Sequence, residues 1–228
     1  MPTVLATKKL KENQRSLLLN AAVSLVEYNA IKIDLQTFEI PKMIENAIFT
    51  SQNGVNSFLA NWNSQKDTLQ EQYSSMNCFC VGEKTKELLE INGFKVIKMT
   101  EYASELAGYL VQNHKNDKFH FFCGNIRSNE IPVSLKKNKI SFEEIVVYKT
   151  TLNPQKFERQ FDAILFFSPS GVRSYFEANN KPESSETLSV CIGTTTASEA
   201  KKYSENVIIA NATTVESVIS KAVKILNN

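Results

Sequence analysis

Short apolar runs alternate with amphipathic segments along almost the whole chain. Strands are predicted at Val4 to Thr7, Ala47 to Ser51, Phe79 to Gly82, Phe119 to Cys123, Ile164 to Ser168, Ser189 to Gly193 and Val207 to Ala210. Between them lie segments with a 3.6-residue period. Examples are Thr85 to Asn92, with Leu88, Leu89 and Ile91, and Val215 to Leu226, with Val218, Ile219, Val223 and Leu226. This rhythm predicts doubly wound parallel sheets of the α/β class.

Two segments break the rhythm. Ala30 to Phe38 and Glu143 to Thr151 read as extended chain with no helix directly after, and Pro41 and Pro154 lie just beyond them. They are the expected crossings between two domains: a discontinuous one of residues 1 to 35 plus 151 to 228, and an inserted one of residues 36 to 150. Two antiparallel strands would form the hinge, and its few contacts would permit relative domain motion.

The two predicted domains share a repeat. Phe49-Thr50-Ser51-Gln52-Asn53-Gly54-Val55 answers to Phe166-Phe167-Ser168-Pro169-Ser170-Gly171-Val172, and Val81-Gly82-Glu83-Lys84-Thr85 answers to Ile192-Gly193-Thr194-Thr195-Thr196. In each half an apolar run ends in a hydroxyl-rich turn, and a second run ends in Gly-x-x-Thr at the head of a helix. Matched turns on two domains can face each other across a cleft that grips one molecule.

Size and charge narrow the picture further. A chain of 228 residues with 42% hydrophobic content can build two small cores. The formal charge of +2 comes from 26 basic and 24 acidic residues without a basic tail, which points away from nucleic acid and from membrane surfaces. Neither a secretion-type apolar core near Met1 nor a run of membrane-spanning length occurs, so the expected location is the cytoplasm. Cys78, Cys80, Cys123 and Cys191 lie in or at the end of predicted strands and read as buried reduced thiols. Cys78-Phe79-Cys80 lacks the spacing of a zinc site, and no metal is expected. Phosphate-loop and dinucleotide glycine motifs are absent as well.

Together with Gly124-Asn125-Ile126-Arg127 and Val147-Tyr148, these repeated motifs make the chain resemble the uroporphyrinogen-III synthase family over nearly its whole length. The order and spacing of the motifs carry the resemblance, since Gly-x-x-Thr alone occurs in many α/β proteins. It implies two α/β domains joined by a two-stranded β-ladder and a reaction without a cofactor. In that reaction hydroxymethylbilane loses its terminal hydroxyl to give an azafulvene. The substituted carbon of the last ring then bonds to the azafulvene to form a spiro intermediate, and the macrocycle recloses with that ring inverted as uroporphyrinogen III. The resemblance also implies a monomer, with transient contact to the preceding enzyme of the pathway as a further expectation. A catalytically degenerate homologue that only binds ligand or regulates is the alternative. A sugar- or anion-binding module is a third reading, for which only Tyr175, Phe176 and Trp62 come near the turns as stacking aromatics.

The resemblance marks Tyr148 as the catalytic candidate, because a phenol can donate a proton to a departing hydroxyl while staying uncharged near neutral pH. A tyrosine on a half-buried strand is equally a packing residue. Ser51, Thr85, Ser168, Ser170, Thr195 and Thr196 fall at strand-to-helix turns, where hydroxyls and free backbone N–H groups receive carboxylates, and the substrate carries eight. The same residues also serve as ordinary helix caps, as Ser168 before Pro169 illustrates. Asn53 and Asn125 belong to the same turns. Gly54, Gly82, Gly124, Gly171 and Gly193 would let the backbone approach a ligand, or simply mark turns. Arg127 follows its motif glycine closely enough to pair with a substrate carboxylate, Arg173 less directly. Many family members carry an arginine after the first strand, where this chain has Thr7-Lys8-Lys9; lysine keeps the charge without the bidentate fork. His114 and His120 read as structural or exposed.

Overall fold

The structure is a computed structural model that describes residues 1–64, 76–179 and 187–227. In chain order the first elements are β1 (Thr3–Ala6), α1 (Glu12–Leu19), β2 (Ser24–Glu27) and β3 (Ile31–Leu35). There follow β4 (Asn46–Phe49), α2 (Gln52–Ser64), β5 (Asn77–Val81), α3 (Glu83–Ile91), β6 (Lys95–Thr100), α4 (Ala103–Asn113), β7 (Lys118–Gly124), α5 (Glu130–Lys137) and β8 (Ser141–Leu152). The last run is β9 (Ala163–Phe166), α6 (Pro169–Ala178), β10 (Leu188–Cys191), α7 (Thr194–Ala200), β11 (Val207–Ile209) and α8 (Val215–Leu226).

The chain divides into two compact units, Met1–Lys32 with Thr151–Asn228, and Ile33–Thr150. It passes from the first to the second within β3 and returns within β8. In the first unit the strands stand in the order β2-β1-β9-β10-β11, every pair parallel. Strands β1, β9 and β10 are buried at every position, as continuous apolar runs must be when both faces of a parallel sheet are covered. One face is packed by Leu18 of α1 with Val218, Ile219 and Ala222 of α8. The other is packed by Val172, Tyr175 and Phe176 of α6 with Ala197 and Ala200 of α7.

The second unit holds a six-stranded sheet in the order β3-β8-β7-β4-β5-β6, and β8 through β6 pair in parallel. Val55 and Phe58 of α2 and Leu89 of α3 pack one face around Phe49 and Phe122. Leu106 and Leu110 of α4, with Ile131 and Leu135 of α5, pack the other around Phe79, Phe119 and Phe121. Both sheets are therefore doubly wound.

The hydrophobic pattern misses two strands, β2 and β6. Each closes one edge of its sheet, and the sequences Ser24-Leu25-Val26-Glu27 and Lys95-Val96-Ile97-Lys98-Met99-Thr100 mix polar with apolar residues because part of each remains in contact with solvent. The strands expected to reach Thr7, Ser51, Gly82, Ser168 and Gly193 end one or two residues earlier. The residues after each strand leave the ladder to start a turn or a helix, and Gly82, Ser168 and Gly193 are themselves N-caps of α3, α6 and α7. Thr85 to Asn92 likewise begins too late, since α3 starts at Glu83. All four cysteines are buried free thiols, and burial pushes Cys80 and Cys191 up to about 12.

Candidate active site

In the second unit the chain moves from β4 to β5 and β6 on one side and later through β7 to β8 on the other. The carboxyl ends of β4 and β7 are thus its topological switch point. The helix after β4 packs one face of the sheet and the helix after β7 packs the other, which opens a crevice between the two turns. A cavity of about 220 Å³ lies there. Thr50, Ser51, Arg127, Ser128 and Tyr148 give it a polar side, while Val81, Ala103, Phe121, Ile126 and Ile131 give it an apolar one. That volume is below the roughly 300–1,000 Å³ that encloses a drug-sized ligand.

A local irregularity in β8 sets the position of Tyr148. Pairing with β7 runs Cys123 to Val146 and then Gly124 to Tyr148, which leaves Val147 as an extra residue in the ladder. Val147 and Tyr148 are consequently buried in succession, where a regular strand would alternate. The Val147 carbonyl accepts from the Gln36 amide at 2.9 Å and from the Ser57 hydroxyl, so the displaced backbone keeps its partners. Gly124 supplies the space for the ring: a Cβ there would meet Tyr148 Cζ at 2.5 Å, Cε2 at 2.6 Å and Oη at 2.8 Å. The phenol reaches the cavity wall with the residue only 7% exposed.

Asn125 and Arg127, the other candidates after β7, already have protein partners. The Asn125 side chain accepts from the Thr150 amide at 2.7 Å and donates to the Thr150 carbonyl at 3.2 Å, and the Asn125 amide donates to the Tyr148 carbonyl. The residue thereby extends the ladder beyond the end of β7. Arg127 donates through Nε to Glu144 at 2.8 Å, through Nη2 to the same carboxylate, and through Nη1 to Asn129.

On the β4 side, Ser51 accepts from the Asn53 amide at 3.1 Å and so opens α2 while lining the cavity. Gly54 is buried inside the helix, where a Cβ would stand 3.1 Å from the Phe122 carbonyl oxygen; close packing of α2 on β7 accounts for this glycine. Gly82 has φ of +85°, a conformation suited to glycine, and donates to the Thr100 carbonyl at 2.8 Å. Thr85, three residues on, is buried in the first turn of α3.

The first unit repeats this arrangement at its own switch point, between β1 and β9. Ser168 caps α6 by accepting from the Gly171 amide at 3.0 Å, with Pro169 in the first turn as anticipated. A Cβ on Gly171 would stand 3.4 Å from both Ser168 Oγ and Thr7 Oγ1. Ser170 accepts from Arg173 at 3.3 Å, and Arg173 also approaches Glu199 at 3.5 Å. Lys8 places its ammonium 5.7 Å from the Phe167 ring centre, a cation–π contact. Thr196 is buried in the first turn of α7, matching Thr85, while Thr195 is exposed. Tyr175 and Phe176 are core residues and offer no stacking surface.

Sequence reasoning did not single out Thr50, Ser57, Ile126, Ser128 or Glu144. Thr50 was within reach, since it belongs to the repeated turn. His114 pairs with Asp117 at 2.8 Å, and His120 is buried in β7. Among the described residues no group of three or more His, Cys, Asp or Glu is placed to hold a metal ion. No helix among them is long and apolar enough to cross a membrane.

Two doubly wound α/β units, each with hydroxyl-rich turns at its switch point, define a two-unit α/β protein with a tyrosine-walled crevice. The family model described as uroporphyrinogen-III synthase HemD matches residues 9–220, and the chain belongs to that family. It is 25% identical over 193 residues to the porphyrin biosynthesis protein HemD of Ruminiclostridium josui, covering 78% of this chain and 37% of that protein; it thus spans little more than a third of that relative's length. The fold matches the crystal structure of uroporphyrinogen-III synthetase from Helicobacter pylori 26695 with a TM-score of 0.72 at 14% identity, over 99% of this chain and 100% of that one. A mutant uroporphyrinogen III synthase from the extremely thermophilic bacterium Thermus thermophilus matches with a TM-score of 0.71 at 12% identity, over 100% of this chain and 99% of that one.

Proposed function

We infer that this protein cyclises hydroxymethylbilane to uroporphyrinogen III, with loss of water and inversion of the last ring. The observation that carries this reading is the Tyr148 phenol in the wall of the switch-point cavity, held there by the irregular register of β8 and the space left by Gly124.

The chemistry asked of the protein is modest. The hydroxyl of the bilane leaves from a carbon next to an electron-rich pyrrole, and proton donation by Tyr148 turns it into water. General acid catalysis of this kind contributes about 10² to 10⁴-fold. The greater demand is conformational, because the azafulvene must be attacked by the substituted α-carbon of the last ring and not by that ring's unsubstituted α-carbon. The apolar wall of Val81, Phe121, Ile126 and Ile131 receives one pyrrole face. Substrate carboxylates are received in the second unit by the N–H groups that open α2, by the turn at Gly82-Thr85 and by Arg127. Acting without a cofactor, as a cytoplasmic monomer whose units form two domains, completes the proposal.

Ring closure gives a direct test. Freshly made hydroxymethylbilane, incubated with the protein and oxidised to the coloured porphyrin, should close much faster than it does alone. Closure at the spontaneous rate would contradict the reading.

A further inference from the structure

Among the described residues Arg127 is the one cation in the cavity wall. Its guanidinium is held from behind. Nε donates to Glu144 Oε2 at 2.8 Å and Nη2 donates to the same oxygen, while Nη1 donates to Asn129 Oδ1 and, at 3.5 Å, to the Ser128 carbonyl. Glu144 and Asn129 do not line the cavity themselves. A guanidinium has five N–H donors; these contacts use four, and the remaining protein group against it is the buried Cys123 thiol, only a weak acceptor that a carboxylate can displace.

We propose that Glu144, assisted by Asn129, is a positioning residue that fixes Arg127 in the cavity wall to receive one side-chain carboxylate of the tetrapyrrole. This rests on the synthase reading above. An arginine stem is flexible, and a ligand that had to order it would bind more weakly; anchoring the head on a half-buried carboxylate removes that cost before the ligand arrives. Glu144 stands on β8 four residues before Tyr148, so one strand sets both the guanidinium and the phenol. Glu144 also carries a charge that opposes an anionic substrate, and it is tolerable only while Arg127 neutralises it. The pair therefore predicts opposite effects of one substitution in two backgrounds.

In the full-length protein, Glu144→Gln should raise KM for hydroxymethylbilane about tenfold, the loss of a charge-assisted contact, with kcat within about twofold. Glu144→Asp keeps the charge and should recover part of the loss. In an Arg127→Ala background the sign should reverse: Glu144→Gln should lower KM, because it removes an uncompensated carboxylate. Asn129→Ala supplies a second probe if Glu144→Gln does not fold, with a smaller rise in KM. An unchanged KM with a lowered melting temperature would overturn the positioning role, and so would an equal rise in KM in both backgrounds. Failure of the wild-type protein to form the type III isomer is a separate result that removes the synthase reading itself.

Discussion

Gly124 leaves the space that the phenol ring of Tyr148 fills. The two residues are partners across β7 and β8 at the point where the register shifts, and no side chain fits between them. Gly124→Ala should destabilise the fold by about 1–3 kcal/mol through overpacking. Tyr148→Ala in the same chain should relieve the clash, so the double variant should be more stable than the sum of the single losses. Urea unfolding of the four proteins measures this; additive losses would contradict the steric account.

Tyr148→Phe keeps the ring and removes the hydroxyl. The expected outcome is a rate of cyclisation lower by about tenfold to a thousandfold with the melting temperature nearly unchanged. An unchanged rate with reduced stability would assign Tyr148 to packing.

Thr85 and Thr196 hold the same place in the first turns of α3 and α7, and both are buried. Thr85→Ala and Thr196→Ala should each cost about 1–2 kcal/mol in transition-state stabilisation, from a lost hydrogen bond to ligand or a loosened helix start. A ligand contact lowers kcat/KM at constant melting temperature, whereas a loosened helix lowers the melting temperature of the free protein. Loss of stability with full activity in both variants would make these turns scaffolding.

Burial of His120 should give the fold a pH dependence. The His120 Nδ1 is buried with no hydrogen-bond partner among the described residues, and burial, helped by Lys118, holds the imidazole below its ordinary value of 6.5 against a smaller opposing effect of Glu143. As pH falls, the unfolded chain takes up the proton first. The contribution is therefore complete above about pH 6.5 and declines from there until the folded imidazole also protonates. Urea midpoints between pH 8 and pH 5 should fall less steeply for His120→Gln than for the wild type, and equal slopes would contradict this.

The repeat made the strand-end turns readable from the chain, and of the cavity wall it marked Ser51, while Arg127 and Tyr148 came from the other motifs. Two copies of a hydroxyl-rich turn and two Gly-x-x-Thr turns marked the carboxyl ends of β4, β5, β9 and β10 because such turns depend on neighbouring residues. What stayed hidden depends on distant pairs. Gly124 reads as a turn glycine until Tyr148 is seen beside it. Likewise, no local spacing joins Arg127 to Glu144, or Ser57 to the Val147 carbonyl. The edge strands β2 and β6 escaped for another reason, since partial exposure dilutes their apolar pattern.

The central claim is that the protein directs which carbon of the last ring attacks the azafulvene. Supplying fresh hydroxymethylbilane with a catalytic amount of the protein, then oxidising and separating the porphyrin isomers, tests it most directly. The account predicts that the type III isomer predominates and that Tyr148→Phe shifts the mixture toward type I as spontaneous closure competes. Type I alone from the wild-type protein, as in the protein-free control, would contradict it.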